Sequence, residues 1–510
     1  MPDIVLATLN ARHLHAALGL RYLLANLGEL QARAALREFV IGQRAEDLAE
    51  QLLADAPRIV GFGVYIWNVE ETTRLVALLK TLRPELVIVL GGPEVSHEID
   101  AQPICALADH VITGWGDVSF AGLCRERLAG RVPAKVIAGV QPPLEALASP
   151  YALYSDSDVA ERHLYVEASR GCPYKCEFCL SALDRTAWPF PLEAFLADMA
   201  ELHRRGARHF KFVDRTFNLR KDVATAILDF FLERIESEPA TAPYAHFELV
   251  PDHLPEVLKE RIARFPPGYL QFEVGIQTFD PATQARISRR QDNAKAEANL
   301  RWLREHSHAH LHVDLIAGLP GEGIDSFAAG FDRLVALNPQ EIQVGILKRL
   351  RGAPIARHTE AHRMRYQPFP PYQVLETDAL DFPTLQRIGR FARYWDLIAN
   401  AGRYPRTLPR LLADQPFARF MALSDWLYAE TRQTHAIAQD RLVRLLHVWG
   451  VDYGLDPADW GRALAEDYRE AGGRSHLDFA PDLPALSPRP RASGVTPPRQ
   501  ARHQRGLASG

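Results

Sequence analysis

The sequence predicts an α/β fold in three parts: a doubly wound, Rossmann-like N-terminal domain, a partial (β/α)6 TIM-like barrel, and a helical C-terminal domain. Three observations carry that prediction. Short β-branched runs alternate with stretches of helical period from residue 3 to about 350. A Pro- and Ser-containing stretch, "GVQPPLEALASPYALYSDSD" (139–158), splits the alternation into two series. Beyond about residue 365 the strand signals stop, and helices rich in Arg, Leu and aromatics take over. The predicted boundaries are 1–145 for the first domain, 146–160 for a linker, 161–365 for the barrel, 366–480 for the helical domain and 481–510 for a disordered tail. A chain of 510 residues also exceeds what one hydrophobic core serves, roughly 250–300 residues.

In the first series, "DIVLATL" (3–9), "RIVGFGV" (58–64), "ELVIVLGG" (85–92), "HVITGWG" (110–116) and "AKVIAGV" (134–140) read as buried strands. Between them "LGLRYLLANL" and "VEETTRLVALLKTL" carry helical spacing. Near-continuous apolar strands imply a parallel sheet covered on both faces, with its ligand beyond the carboxyl ends of the strands. Those ends read "NARHLH" (10–15), "YIWN" (65–68), "GGPEVS" (91–96) and "GWGDVS" (114–119). Either Gly-rich turn alone reads equally well as a plain tight turn. Two in one domain favour a large ligand that backbone approaches closely.

The second series places strands at 163–171, 209–217, 244–250, 269–277, 311–320 and 341–350, separated by helical segments at 191–205, 221–236, 293–305 and 325–337. Six β–α units fit a barrel-like parallel sheet whose site lies at the strand C-terminal ends. Polar residues gather at or near those ends: three cysteines after the first strand, Asp214 after the second, then Glu248, Glu273 with Gln277, and Asp314. In the helical domain, Tyr366, Tyr372, Tyr394 and Trp395 either line a pocket or pack helices together, and no residue there carries a readable specificity signal. The tail arginines at 489, 491, 499, 502 and 505 read as solvated.

Composition excludes several classes. A formal net charge of −4 gives no whole-molecule basic field for nucleic acid. No run approaches the ~18 consecutive apolar residues that span a bilayer. The start, "MPDIVLATLNARHLHAAL", lacks a basic leader and a small-residue cleavage site. Five cysteines, an odd number with one tight cluster, do not form a secreted disulfide framework. The expectation is a cytoplasmic protein with reduced thiols and no membrane or nucleic-acid partner.

Three of the five cysteines fall within "GCPYKCEFC" (171–179), where Gly171 and Pro173 bend the loop. A structural zinc site takes four protein ligands, often from two Cys-x-x-Cys hooks, and a fully ligated iron–sulfur cluster also takes four. Cys105 and Cys124 lie in the first domain without paired spacing. Three cysteines without a fourth point to one open iron, which can chelate an amine and a carboxylate. An incidental grouping or a zinc site is the alternative.

Cys172-x3-Cys176-x2-Cys179, with Phe178 just before the last cysteine, resembles the signature of the radical S-adenosylmethionine superfamily, and the likeness extends over residues ~160–355. It implies a [4Fe-4S] cluster on those cysteines and S-adenosyl-L-methionine as co-substrate. It further implies that Asp214 in "FVDRTF" contacts the methionine amine and that Glu248 in "HFELVPD" binds the ribose. "FEVGIQT" (272–278), with Glu273 and Gln277, and "DLIAGLPGE" (314–322), with Asp314 and Gly318, would line the adenosine pocket. The chemistry implied is reductive cleavage to a 5′-deoxyadenosyl radical in a dry, enclosed site, fed by a flavodoxin- or ferredoxin-type donor.

A doubly wound domain directly ahead of such a core resembles the cobalamin-binding subgroup of that superfamily. The Gly91-Gly92 turn and "TGWGDVSF", with Gly114, are similar to turns that hold the nucleotide tail and corrin. The Asp-x-His-x-x-Gly motif, whose histidine ligates cobalt from below, is absent. The loop reads "LNARHLHAALG", with Asn10, Arg12, His13 and His15. Either a side chain such as Arg12 lies beneath a cobalt without a protein ligand, or His13 or His15 ligates it, or the loop only caps the sheet. A relic domain that no longer binds a corrin is a further alternative. The expected function is cobalamin-dependent methyl transfer to an unactivated carbon or to phosphorus of a small-molecule or peptide substrate. The alternatives are radical rearrangement or oxidation without methyl transfer, and a non-catalytic cobalamin or redox sensor. Against the sensor stands the polar set at the barrel strand ends, for which a pure binding module has no use.

Overall fold

The computed structural model describes residues 1–184, 186–481 and 497–507. Its N-terminal sheet is formed by β1 (Ile4–Asn10), β2 (Ala34–Val40), β3 (Ile59–Gly63), β4 (Val87–Gly91), β5 (His110–Thr113) and β6 (Val136–Ala138). All pair in parallel, in the order β2-β1-β3-β4-β5-β6. Alternate side chains feed two separate cores. Val5, Ala7, Val60 and Phe62 pack on one face, and Ile4, Leu6, Ile59 and Val89 on the other. That division is what a doubly wound sheet requires. Strand β2, "AALREFV", is absent from the predicted set because it is a half-exposed edge strand interrupted by Arg37 and Glu38.

A second parallel sheet follows, built from β7 (Leu164–Val166), β10 (His209–Phe212), β11 (Tyr244–Leu249), β12 (Leu270–Gln277), β13 (His310–Ala317) and β14 (Glu341–Ile346). Its order, β14-β13-β12-β11-β10-β7, is the sequential order of a partial barrel. Burial alternates with period two along β12 and most of β13. Leu270, Phe272, Val274 and Ile276 face the helices, while Gln271, Glu273 and Gln277 point inward. The predicted strand 163–171 is instead two pieces. After β7 the chain turns into β8 (Ser169–Gly171), which pairs antiparallel with β9 (Ala187–Pro189) and so lifts the cysteine loop clear of the barrel rim.

The exposed edge of β7 is met by the first domain. A parallel bridge joins His15 to His163, whose amide donates to Leu14 O at 3.0 Å. Residues 146–160, expected as a linker, are packed. Tyr151 and Tyr154 are buried, and Asp158 enters a network with Arg21, Glu38 and Arg162. Arg21, only 2% exposed, reaches both carboxylates at 2.8 Å.

In the C-terminal domain, helices Phe382–Ile398 and Pro416–Thr431 press Phe391, Trp395 and Phe417 against Phe331 of the barrel helix Ile324–Ala336, with Phe420 behind Phe391 and Trp395. Tyr394 and Trp395 are core residues, not pocket walls. The disordered tail expected over 481–510 also needs correction. Pro498–Leu507 is a helix lying under the N-terminal end of the barrel. Gln500 donates to Tyr244 Oη at 2.6 Å, and Arg499 pairs with Glu341 at 3.1 Å. Residues 482–496 lie outside the described residues.

Candidate functional site

The loop between β8 and β9 carries the three cysteines to one place. Gly171 has φ +88°, and a Cβ there would stand 2.4 Å from Thr186 O, so only glycine lets the two strands close. A turn from Cys179 N to Cys176 O, 3.0 Å, brings the last two cysteines together. Glu177 between them is buried and bolts the loop down. Its carboxylate accepts from Ser288 Oγ (2.5 Å) and Arg357 Nε (2.7 Å), and lies 2.8 Å from His358 Nε2.

Cys172, Cys176 and Cys179 line a cavity of about 250 Å³ at the C-terminal mouth of the barrel. Phe178, Glu248, Glu273, Gln277 and Asp314 line it with them. Burial pushes the Cys172 thiol up to about 11. Burial also raises Cys176, opposed by the Arg289 guanidinium at 3.5 Å from its sulfur. Among the described residues no three His, Cys, Asp or Glu side chains close on one point as ligands of a single ion do. The thiols instead face a shared space.

Two predicted residues stand elsewhere. Asp214 is absent from the cavity lining. Its carboxylate accepts from the Ala168 amide at 3.0 Å and the Ser169 hydroxyl at 2.6 Å, tying β10 to the start of the cysteine hairpin. Burial raises it to about 7 against those hydrogen bonds. Arg215 and Thr216, the next two residues, face the cavity in its place. Gly318, with φ +86°, lies under Val374, whose Cγ1 a Cβ would approach to 2.5 Å. It admits the strand Val374–Glu376 and does not touch the cavity.

Behind the cavity the barrel interior is ionic. Glu273 is held down to about 2 by His246, 3.3 Å away, with burial opposing and Lys211 assisting at 3.9 Å. Burial raises Glu248 and Asp314. His312 lies 3.3 Å from Asp314 and 3.5 Å from Glu341. Burial opposes its charge, yet those carboxylates lift it to about 10. Sequence reasoning missed Arg215, Arg289 and this histidine layer, although the inward positions of β11 and β13 already read His246, His312 and Asp314 at period two.

The second cavity, about 740 Å³, lies between the C-terminal ends of the first sheet and the β7 edge of the barrel. Gly91, Gly92 and Gly114, from the two Gly-rich turns, line it. Gly92, φ +111°, would place a Cβ 2.5 Å from Val64 O. A Cβ at Gly114, φ +69°, meets nothing within 4 Å. Tyr65 and Trp67 stack at 4.4 Å along another wall, and Trp67 donates to Leu9 O. Asn10 lines the cavity but spends its amide on His15 O (2.8 Å) and Glu38 (3.0 Å), holding the loop after β1. Arg12 and His13 are exposed and do not line it. His15 does, with Nδ1 tied to Tyr165 Oη at 2.6 Å. Burial lowers its pKa, which favours the neutral ring. Arg170 closes one side, paired with Asp117 (2.9 Å) and Glu167 (2.7 Å) and stacked on Tyr22 at 4.4 Å. Of all the described residues, only Arg215 lines both cavities.

Three family models match the chain. Residues 166–334 match the radical SAM superfamily, residues 4–124 the B12 binding domain, and residues 360–460 a protein of unknown function (DUF4080). Among curated proteins, the cobalamin-dependent radical SAM methyltransferase TokK of Streptomyces tokunonensis is 29% identical over 151 residues, 24% of this chain and 22% of that protein. The 2-(S-pantetheinyl)-carbapenam-3-carboxylate methyltransferase of Streptantibioticus cattleyicolor is 24% identical over 336 residues, 59% of this chain and 48% of that protein. The chain thus spans about half the length, or less, of these relatives. Among solved structures, the radical S-adenosylmethionine methyltransferase TsrM from Kitasatospora setae, with cobalamin and a [4Fe-4S] cluster bound, shares the fold. It aligns with a TM-score of 0.59 at 16% identity, covering 92% of this chain and 100% of that one.

The matched domains imply a [4Fe-4S] cluster, S-adenosylmethionine and a cobalamin, and the residues fit each. Three thiols on one space, with no fourth cysteine in the lining, leave an iron open. The carboxylates of Glu248, Glu273 and Asp314 suit a sulfonium cation. Glycine backbone and the Tyr65–Trp67 stack suit a broad, flat macrocycle. No helix among the described residues is long and apolar enough to cross a membrane.

Proposed function

We propose that this radical SAM protein, with a B12-binding domain ahead of its barrel, is an enzyme that methylates an unactivated carbon, or phosphorus, of a small-molecule or peptide substrate. The observation that carries the proposal is the meeting of the two cavities at Arg215. When bound, the cluster with S-adenosylmethionine supplies a hydrogen-abstracting 5′-deoxyadenosyl radical, and the cobalamin supplies the methyl group. Cys172, Cys176 and Cys179 would hold the cluster, and Arg289 would favour the thiolate of Cys176. Glu248, Glu273, Gln277 and Asp314 would orient the adenosine, with Phe178 closing one wall. Asp214 would act on the methionine only through the hairpin it anchors. Gly91, Gly92 and Gly114 would seat the corrin and its tail. Tyr65, Trp67 and Tyr165 would exclude water from the space where a substrate carbon meets both cofactors. A flavodoxin- or ferredoxin-type protein would supply electrons in the cytoplasm, where thiols stay reduced.

The test is anaerobic reconstitution with iron, sulfide and hydroxocobalamin, followed by reduction with S-adenosylmethionine. Cluster absorbance near one [4Fe-4S] per chain, 5′-deoxyadenosine, and S-adenosylhomocysteine in proportion to bound cobalamin are expected. Cys176→Ala should abolish the cluster absorbance and 5′-deoxyadenosine together. Absence of S-adenosylhomocysteine at full 5′-deoxyadenosine turnover would sink methyl transfer in favour of a radical rearrangement or oxidation.

A further inference from the structure

A third cavity, about 360 Å³, lies in the C-terminal domain on the outer side of β14 and shares no lining residue with the other two. It falls within the size range of small-ligand pockets, about 300–1,000 Å³. Its charge is one-sided. Arg390, Arg393 and Arg432 line it, and no Asp or Glu does.

The helix Phe382–Ile398 shows how this arises. Gln386, Gly389, Arg390 and Arg393 recur at i, i+3, i+4 and i+7, which sets them on one face toward the cavity. Arg387 lies off that face and pairs with Asp425 at 2.7 Å. Elsewhere in the domain, Arg406, Arg410 and Arg444 likewise find carboxylates. The three cavity arginines have no ion pair among the described residues. Arg390 and Arg432 are instead drawn to one ring, Tyr428, at 4.4 and 5.6 Å from its centroid. Arg432 holds a left-handed backbone, φ +52°, at the end of helix Pro416–Thr431. Arg390 is half-buried and Arg393 and Arg432 reach the surface, so the three guanidinium groups form a positive mouth open to an anion from solvent. An unsatisfied group marks the same place. Arg390 Nε, a donor, is buried without a hydrogen-bond partner, although buried polar groups are ordinarily bonded.

We infer that this cavity binds a small organic phosphate monoester, its dianion held by the guanidinium forks of Arg390, Arg393 and Arg432 and its organic part laid on Tyr428. Guanidinium forks match phosphate oxygens bidentately, and a dianion answers three cations better than a carboxylate does. The apolar floor, Val374 and Leu385, is also what packs over Gly318 after β13, so an occupant would rest on the segment that follows Asp314.

Isothermal titration of the full-length chain with phenyl phosphate, and with benzoate for comparison, tests this. Saturable binding of phenyl phosphate, tighter than benzoate, is expected. Arg390→Gln and Arg432→Gln should each weaken it by about tenfold or more, the loss of a charge-assisted pair. Both variants should keep the wild-type circular dichroism and, after reconstitution, the cluster absorbance. No saturable binding of phenyl phosphate, equal affinity in folded variants, or tighter binding of benzoate would each overturn the inference. None of these results depends on methyl transfer, so the two proposals fail independently.

Discussion

Arg215 donates to Glu248 across 2.9 Å, and this pair stands where the cysteine-lined cavity and the glycine-walled cavity touch. The Glu248 carboxylate pulls the guanidinium toward the first cavity and leaves its other edge facing the second. One side chain therefore forms the partition between two chemistries.

Removing the partition should uncouple them. Arg215→Met leaves Glu248 beside Glu273 and Asp314 without its cation, although folding should survive because Arg215 is partly exposed. The expected outcome is 5′-deoxyadenosine formation within about threefold of wild type, while the yield of methylated product per 5′-deoxyadenosine falls about tenfold or more. Chromatographic quantification of both products checks it. An unchanged ratio would remove Arg215 from the coupling.

Gly92 and Gly114 should respond differently to alanine. At Gly92 a Cβ collides with Val64 O at 2.5 Å, so Gly92→Ala combines backbone strain with overpacking, at about 2–4 kcal/mol. At Gly114 nothing stands within 4 Å, so Gly114→Ala costs only the left-handed backbone, about 1 kcal/mol. Urea unfolding gives the stability, and absorbance of bound hydroxocobalamin gives the occupancy. Gly114→Ala should lose occupancy out of proportion to its small loss of stability.

The buried histidine layer predicts a pH dependence of defined sign. His312 titrates near 6.5 when unfolded and at about 10 when folded. A raised folded value means its stabilisation is full below about pH 6.5 and is lost as pH climbs toward 10. Wild-type stability should therefore decline between pH 7 and 10, and His312→Gln should flatten that decline by an amount on the order of 1–3 kcal/mol. Urea midpoints across that range, compared between the two proteins, decide the point. A parallel decline in both would assign it to other groups.

The Arg21 network predicts the largest single loss. Arg21→Met strands Glu38 and Asp158 with Arg162 as their remaining cation, all nearly buried. Breaking a buried pair by removing one partner costs about 3–5 kcal/mol. Because the network ties the first domain to residues 156–162, the variant should also lose bound cobalamin before it loses the cluster. Parallel titration of both chromophores in urea tests that order.

Much of the architecture was legible because its signals are local. Leu270 to Gln277 alternates in burial without a break, and "VEETTRLVALLKTL" begins and ends where the helix Val69–Leu82 does. The site was legible where residue type alone carries it, as with the cysteines and with Glu248, Glu273, Gln277 and Asp314. What escaped depends on direction and on distant partners. Asp214 and Arg215 are neighbours in sequence, and only the turn after β10 decides that the arginine enters the cavity while the carboxylate bends back to Ser169. Arg12, offered as a side chain beneath the cobalt, is exposed and does not line the cavity. The segment 498–507 reads as solvated by composition, and its order comes from Tyr244 and Glu341, more than 150 positions earlier.

That last contact also bears on synthesis. Gln500 meets Tyr244 across 256 positions, and Arg499 meets Glu341 at the base of the same barrel. While a nascent chain is still threaded through a ribosome, both domains ahead of the barrel floor can already have folded, since domains form as units from the N-terminal side. The floor itself stays open until residue 503 has emerged, so His310 and Glu341, once made, face water until then. The end of the barrel opposite the cysteines is thus closed only after the segment 498–507 has been made.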